Sequence, residues 1–167
     1  SSGLRTVVYR EILDAWDPER TASALARVRR PLPARALVSE GLSPHAPYST
    51  LPELLRRTAV LARRRRWRVT THVAESQEEH DMIRHRRGEM FHWVRRNERD
   101  LSDCGLGSPV QHLHRAGLLR SNLLAVHANH LAPGDAELLA RHDVSGAHCP
   151  RSHHYFSHRR SPLRRLL

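Results

Sequence analysis

The chain has 167 residues, 39% apolar and 27% charged, with a net charge of +11 whose 28 basic residues are all arginine. That length suffices for one domain but falls short of the about 250 residues of a complete α/β barrel, and no run of 18 apolar residues offers a transmembrane span. Cys104 and Cys149 form neither a C-x-x-C pair nor a disulfide framework, and Ser1-Ser2-Gly3 does not open a signal peptide, so a soluble, cytoplasmic protein is expected.

Short apolar runs alternate along the chain with longer amphipathic segments. Thr6 to Tyr9 reads as a strand, Pro18 to Val28 as a helix with Ala22, Leu25, Ala26 and Val28 apolar, and Ala34 to Glu40 as a second strand. A loop over Ser43 to Thr50 leads into a helix from Leu51 to about Arg65, with Pro52 in its first turn and Ser49 or Thr50 as the expected N-cap. Trp67 to His72 is a third strand, and Ser76 begins a helix whose first turn carries Glu78 and Glu79, where carboxylates suit the helix dipole.

Asn97 to Pro109 reads as a long connection, followed by a short helix through Leu119. Leu123 to His127 is a fourth strand, Pro133 to His142 a helix, Val144 to His148 a fifth strand, and Ser161 to Leu167 the start of another helix. The alternation implies β-α-β units and a parallel sheet in a single domain. The fold class is therefore α/β.

An arginine excess of this size raises nucleic acid or an acidic membrane surface as a partner. The arginines, however, fall on expected helix faces (Arg56, Arg57, Arg63 to Arg66, Arg84, Arg86, Arg87) rather than among aromatic residues, and they read as a solvated outer surface. No nucleic-acid or membrane partner is expected.

In a parallel α/β fold, functional residues collect where strands end and loops begin. Four expected strands end in polar clusters there: Ser43 to Tyr48, His72 to Glu75, His127 to His130, and His148 to His153. Neutral imidazoles are common ligands of Zn²⁺ or Fe²⁺, a metal lowers the pKa of its water, and a carboxylate can move the proton. His72 and Glu75 fit the ligand and the proton carrier; the bland alternative makes Glu75 a helix N-terminal carboxylate. The H-x-H of His112 and His114 sits in a segment with helical apolar spacing, where residues two apart diverge by roughly 200°, so it is rejected as a ligand pair.

Four stretches in order, SPHAPYS (43 to 49), THVAESQEE (71 to 79), VHANHL (126 to 131) and AHCPRSH (147 to 153), resemble the amidohydrolase superfamily, in its branch of cytosine, guanine and adenosine deaminases and triazine chlorohydrolases. The resemblance implies a partial (β/α)8 TIM-type barrel, roughly strands 3 to 7. By the same resemblance, His72 matches the strand-five metal ligand. Glu75 matches the proton-transferring glutamate, and His127 the histidine that polarises the hydroxide or oxyanion. His45, Arg151, Ser152 and His153 match substrate-contacting positions. His153 stands where the family usually has Asn, and this suggests a different pocket wall.

One divalent metal, Zn with Fe possible, and a small-molecule substrate, a nitrogen heterocycle or amidine, are implied, along with a homodimer of the full-length protein. The family's first-strand H-x-H and eighth-strand Asp have no counterpart, so the chain reads as an internal piece of one domain, truncated at both ends. Alone it is expected to bind metal weakly, to lack catalysis and to be aggregation-prone through its open sheet edges. The alternatives from other classes are a basic nucleic-acid-binding module and a catalytically silent barrel homologue.

Overall fold

A computed structural model describes residues 3–33, 36–158 and 161–166. Five parallel strands, β1 (Thr6–Ile12), β2 (Val38–Pro44), β3 (Arg68–Val73), β4 (Leu123–His127) and β5 (Ser145–Ala147), hydrogen-bond in chain order. Helices occupy the crossovers: α1 (Pro18–Arg29), α2 (Pro52–Arg65), α3 (Gln77–His85), α4 (Gly88–Arg96), α5 (Pro109–Arg115) and α6 (Asp135–Arg141). Two short helices, α7 (Pro150–Tyr155) and α8 (Leu163–Leu166), follow β5. A sheet whose spatial order equals its sequence order is the wall of a parallel barrel laid open.

Side-chain alternation sorts the two faces. Val69, Thr71 and Val73 of β3 stand in register with Leu123, Ala125 and His127 of β4, and this face packs against Leu54, Leu55, Val110 and Leu113 of the helices. Burying a leucine fully contributes about 1.5–3 kcal/mol, so this layer supplies most of the cohesion. The opposite face, with Thr70, His72, Leu124 and Val126, is half-buried. Gly41 is required where it stands: a Cβ there would meet the Tyr9 ring at 2.6 Å and the Arg68 carbonyl at 2.9 Å.

The second strand lies further along than expected. Ala34 and Arg35 fall outside the described residues, and β2 runs from Val38 to Pro44 because all seven of its residues pair with β1 and Leu42 is fully buried. The first strand likewise extends past Tyr9 to Ile12, with Arg10 paired to Glu40 at 3.4 Å. The expected caps of α2 are also replaced. Leu51 takes the N-cap position, because the Ser49 hydroxyl bonds His45 and the Ala46 carbonyl, the Thr50 hydroxyl bonds the same carbonyl, and the Leu51 N–H donates to the buried Asp14 at 3.1 Å.

Helices α4 and α7 were not expected. Met82, Ile83, Phe91, Val94 and Cys104 form a second hydrophobic cluster, joined by Trp16 and Tyr48, and this turns α3 and α4 over the 43–50 loop. Arg99 braces it from within, gripping Asp103 through two 2.7 Å bonds and donating to the Pro47 carbonyl at 3.3 Å. The H-x-H lies on α5 as expected, with His112 buried and His114 exposed. The Arg63 to Arg66 run is exposed at the C-terminal end of α2, at the start of β3 and away from the strand ends. Among the described residues, no helix is long and apolar enough to cross a membrane.

Candidate active site

The C-terminal ends of β3 and β4 are stapled together by backbone bonds. The Ala128 N–H donates to the Val73 carbonyl at 3.0 Å, and the Asn129 and His130 N–H groups both donate to the Ala74 carbonyl at 2.9 Å. Strict alternation would aim His127 at the helix layer beside Val73. Left-handed backbone at His127 (φ 77°) and Ala128 (φ 49°) breaks that alternation and swings the ring to the His72 side. Non-glycine residues rarely adopt such angles, and they persist where surrounding bonds over-determine them.

Ala74 is a third left-handed residue, φ 51°. The fully buried Glu79 carboxylate of α3 holds it there by accepting the Ala74 N–H at 3.0 Å and the Glu75 N–H at 2.8 Å. Ser76 caps α3 by accepting the Glu79 N–H at 3.1 Å. The chain is thus forced through a tight corner, and Glu75 comes out of it facing β4.

At that corner, His72 Nδ1 lies 3.0 Å from His127 Nε2, and Glu75 Oε1 lies 3.3 Å from the same nitrogen. One ligand-type atom from each of His72, Glu75 and His127 falls within 4.8 Å of the others. Of the two facing nitrogens, His72 Nδ1 and His127 Nε2, one donates and the other accepts, with the Glu75 carboxylate beside the pair. The His45 ring sits 5.2 Å from that of His72 and is fixed by Ser49 Oγ at 2.7 Å from its Nδ1. The His45 carbonyl accepts the His72 N–H at 2.9 Å and ties the two loops together.

The other expected residues divide. His153 on α7 reaches the cluster indirectly: its Nδ1 lies 3.1 Å from Asn129 Oδ1, and the Asn129 amide donates to the Glu75 carbonyl at 3.0 Å. Arg151 is exposed and Ser152 half-buried, and neither side chain hydrogen-bonds this cluster among the described residues. Glu79 and Asn129 were missed. The Ser76-x-x-Glu79 spacing of a capping box could have flagged Glu79, although its carboxylate bonds the corner rather than the Ser76 N–H.

Burial lowers the His72 pKa, and the neighbouring His45 adds to this against the opposing charges of Glu75 and Glu11. Burial lowers His127 as well, against Glu75. Both imidazoles are therefore neutral near pH 7, the state that ligates metal. Burial pushes the Tyr48 phenol up to about 12, with Glu79 and Glu75 adding to it. The convergent nitrogen and oxygen donors fit a divalent ion of the zinc type. A second grouping, His80, Asp81 and His85 on α3, fits less well, because Arg87 and Gln77 already hold Asp81 Oδ1 at 3.1 and 3.2 Å.

A family model described as "Amidohydrolase family" matches residues 1–167. A 5-methylthioadenosine/S-adenosylhomocysteine deaminase of Pelotomaculum thermopropionicum is 31% identical over 170 residues, covering 99% of this chain and 35% of that protein. An adenosine deaminase structure from Xanthomonas campestris with bound zinc matches with TM-score 0.69 at 23% identity, over 97% of this chain and 34% of that one. A zinc complex of atrazine chlorohydrolase from Arthrobacter aurescens TC1 matches with TM-score 0.69 at 15% identity, over 98% and 36%. These likenesses establish the partial barrel fold, and the chain spans about a third of the length of the relatives it matches.

Proposed function

Because this chain belongs to the amidohydrolase family, we propose that it forms one part of the catalytic mouth of a metal-dependent hydrolase that deaminates a nitrogen heterocycle. The observation that carries the reading is the convergence of His72, Glu75 and His127 within 4.8 Å at two stapled strand ends. The adenosine-type and triazine substrates in the relatives' names support a heterocycle bearing a leaving group on a ring carbon. The whole chain reads as one portion of a single barrel domain.

His72 would hold a divalent metal, zinc or iron, since either ion accepts nitrogen and oxygen donors. Such an ion supplies Lewis acidity that makes a water nucleophilic near neutral pH. Glu75 takes the proton of the attacking water and passes it to the departing nitrogen, within reach because its carboxylate already contacts His127 at 3.3 Å. The His127 Nε2–H stabilises charge that develops on the reacting atoms, and the neutral ring is the right donor for it. His45 and His153 line the substrate side; Arg151 and Ser152 would engage substrate from α7.

The test is ammonia release from a panel of aminopurine nucleosides and aminotriazines by a zinc-loaded full-length protein that carries this chain as its part of the barrel. Glu75→Gln is expected to lower kcat by about 10²-fold or more while zinc content is unchanged. Undiminished turnover in that variant would refute the assignment.

A further inference from the structure

Four histidines beyond the metal-facing pair crowd the ends of β4 and β5. Ring centroids lie 5.4 Å apart for His148 and His153, and 5.5 Å apart for both His153–His158 and His130–His158. They arrive from separate segments: the loop after β4, the end of β5, and α7 with its exit. Among the described residues, His130 Nε2, His148 Nδ1 and His158 Nε2 are buried without a hydrogen-bond partner. A buried polar atom left unpaired is costly, so three side by side point to an absent partner.

The hydrogen-bond network also fixes the fourth ring. The Asn129 amide nitrogen donates to the Glu75 carbonyl, so its oxygen faces His153 and the His153 Nδ1 must donate. The cluster also adjoins the reacting end, because one cavity is lined by both His127 and His148. Burial pushes the His130 imidazole down to about 4, with His158, His80 and His153 adding to this and Glu78 opposing it. An uncharged imidazole offers one N–H; that of His153 is taken by Asn129, so His153 holds the cluster in place and His130, His148 and His158 each have one to give.

A single metal ion is the poorer occupant. Among the described residues, only two groups bring three ligand-type atoms within 4.8 Å of one another, and none of these four rings belongs to either. Nitrogens on one zinc ion, each about 2.0–2.1 Å from it, would lie closer together than that. An oxyanion presents several acceptor oxygens at once and can serve N–H groups spread over a wider arc. Arg151 on the same α7 adds positive charge nearby in sequence.

We propose that His130, His148 and His158, held in place by His153, form a subsite for an oxyanion, a carboxylate or phosphate substituent carried by the heterocycle whose reacting carbon meets Glu75. The direction of the substrate rests on the deaminase reading above; the affinity of the cluster for an oxyanion does not.

The experiment is a titration of the full chain, with ¹⁵N-labelled histidine side chains, by sodium acetate, inorganic phosphate and zinc chloride in turn. Acetate or phosphate is expected to move the four rings together while exposed His114 stays still, and the more effective anion identifies the substituent. His158→Asn and His130→Asn should each weaken that binding about fivefold or more, the effect of losing one hydrogen bond, in proteins whose backbone spectra remain folded. His72→Asn should leave it intact, and anion binding by a zinc-loaded full-length protein of unaltered sequence that releases no ammonia would refute the deaminase reading alone. Four rings unmoved by both anions, or saturated by one zinc per chain, would overturn the subsite.

Discussion

Of the carboxylates buried in the fold, Glu79 and Asp103 are kept there by different means. Among the described residues Glu79 pairs with no cation; it accepts the Ala74 and Glu75 N–H groups at 3.0 and 2.8 Å. Asp103 is clasped by both terminal nitrogens of Arg99 at 2.7 Å. Burial pushes the Glu79 carboxyl up to about 7, against its backbone bonds and with the Glu75 charge adding to it. Burial would raise Asp103 too, but hydrogen bonds and charge from Arg99 more than offset it and hold the carboxyl below its ordinary range. The brace under the 43–50 loop is therefore a fixed charge pair, whereas the corner that aims Glu75 rests on a group titrating near neutrality.

Breaking the fixed pair should have the largest effect. Asp103→Ala leaves the fully buried Arg99 guanidinium without its partner, and a loss of about 3–5 kcal/mol in urea unfolding is expected. The double variant Arg99→Leu with Asp103→Leu should recover much of this, because it removes both charges together. Equal losses in single and double variants would show that the two residues do not act as a unit. Because Arg99 also holds the Pro47 carbonyl, the single variant should raise KM through the loop that carries His45.

The Glu79 corner is softer. Glu79→Ala orphans two buried N–H groups and should cost roughly 2–3 kcal/mol, with kcat falling because Glu75 loses its orientation. Glu79→Gln keeps one acceptor oxygen and sharpens the contrast through pH. The carboxyl rests at about 7 in the fold against 4.5 for the free side chain, so the folded protein holds an extra proton between those values. That contribution is fully present below pH 4.5 and is lost as pH rises through 7. Buried His112, pushed down to about 4 by burial, acts in the opposite sense, with stability lost as pH falls from 6.5 through 4. It is common to both proteins, so the stability advantage of wild type over Glu79→Gln should shrink from pH 5 to pH 8. A constant difference across that range would mean that Glu79 is ionised in both states.

How much of this was legible depended on the distance over which each feature is encoded. Parallel strands and their polar ends follow from local alternation, and the His72 to Glu75 spacing places both at one corner. The turn of His127 towards His72 does not follow from alternation, which points it the other way; it requires the left-handed backbone and the β3–β4 staple. Helix α4 stayed hidden because Met90, Phe91 and Val94 are sparse among charges, and what they pack against, α3 with Trp16, Tyr48 and Cys104, comes from other segments. The shift of β2 to Val38–Pro44 reflects pairing on both sides, with Gly41 admitting Tyr9, which no single segment displays. The bond between Asn129 and His153 joins residues 24 apart.

The smallest expected effect tests whether the corner is held by α3 as a body or by Glu79 alone. Among the described residues the Ser76 side chain hydrogen-bonds neither Ala74 nor Glu75; its hydroxyl accepts the Glu79 N–H at 3.1 Å and so fixes where the helix begins. Ser76→Ala should cost about 1 kcal/mol, the usual worth of an N-cap. If the helix start sets the aim of the Glu79 carboxylate, kcat should fall along with stability, though less than in Glu79→Ala, and zinc content should be unchanged. If stability falls by that amount with kcat intact, the two bonds from Ala74 and Glu75 suffice to hold the carboxylate. The corner would then be a local lock, as independent of its helix as the Arg99–Asp103 pair is dependent on its partner.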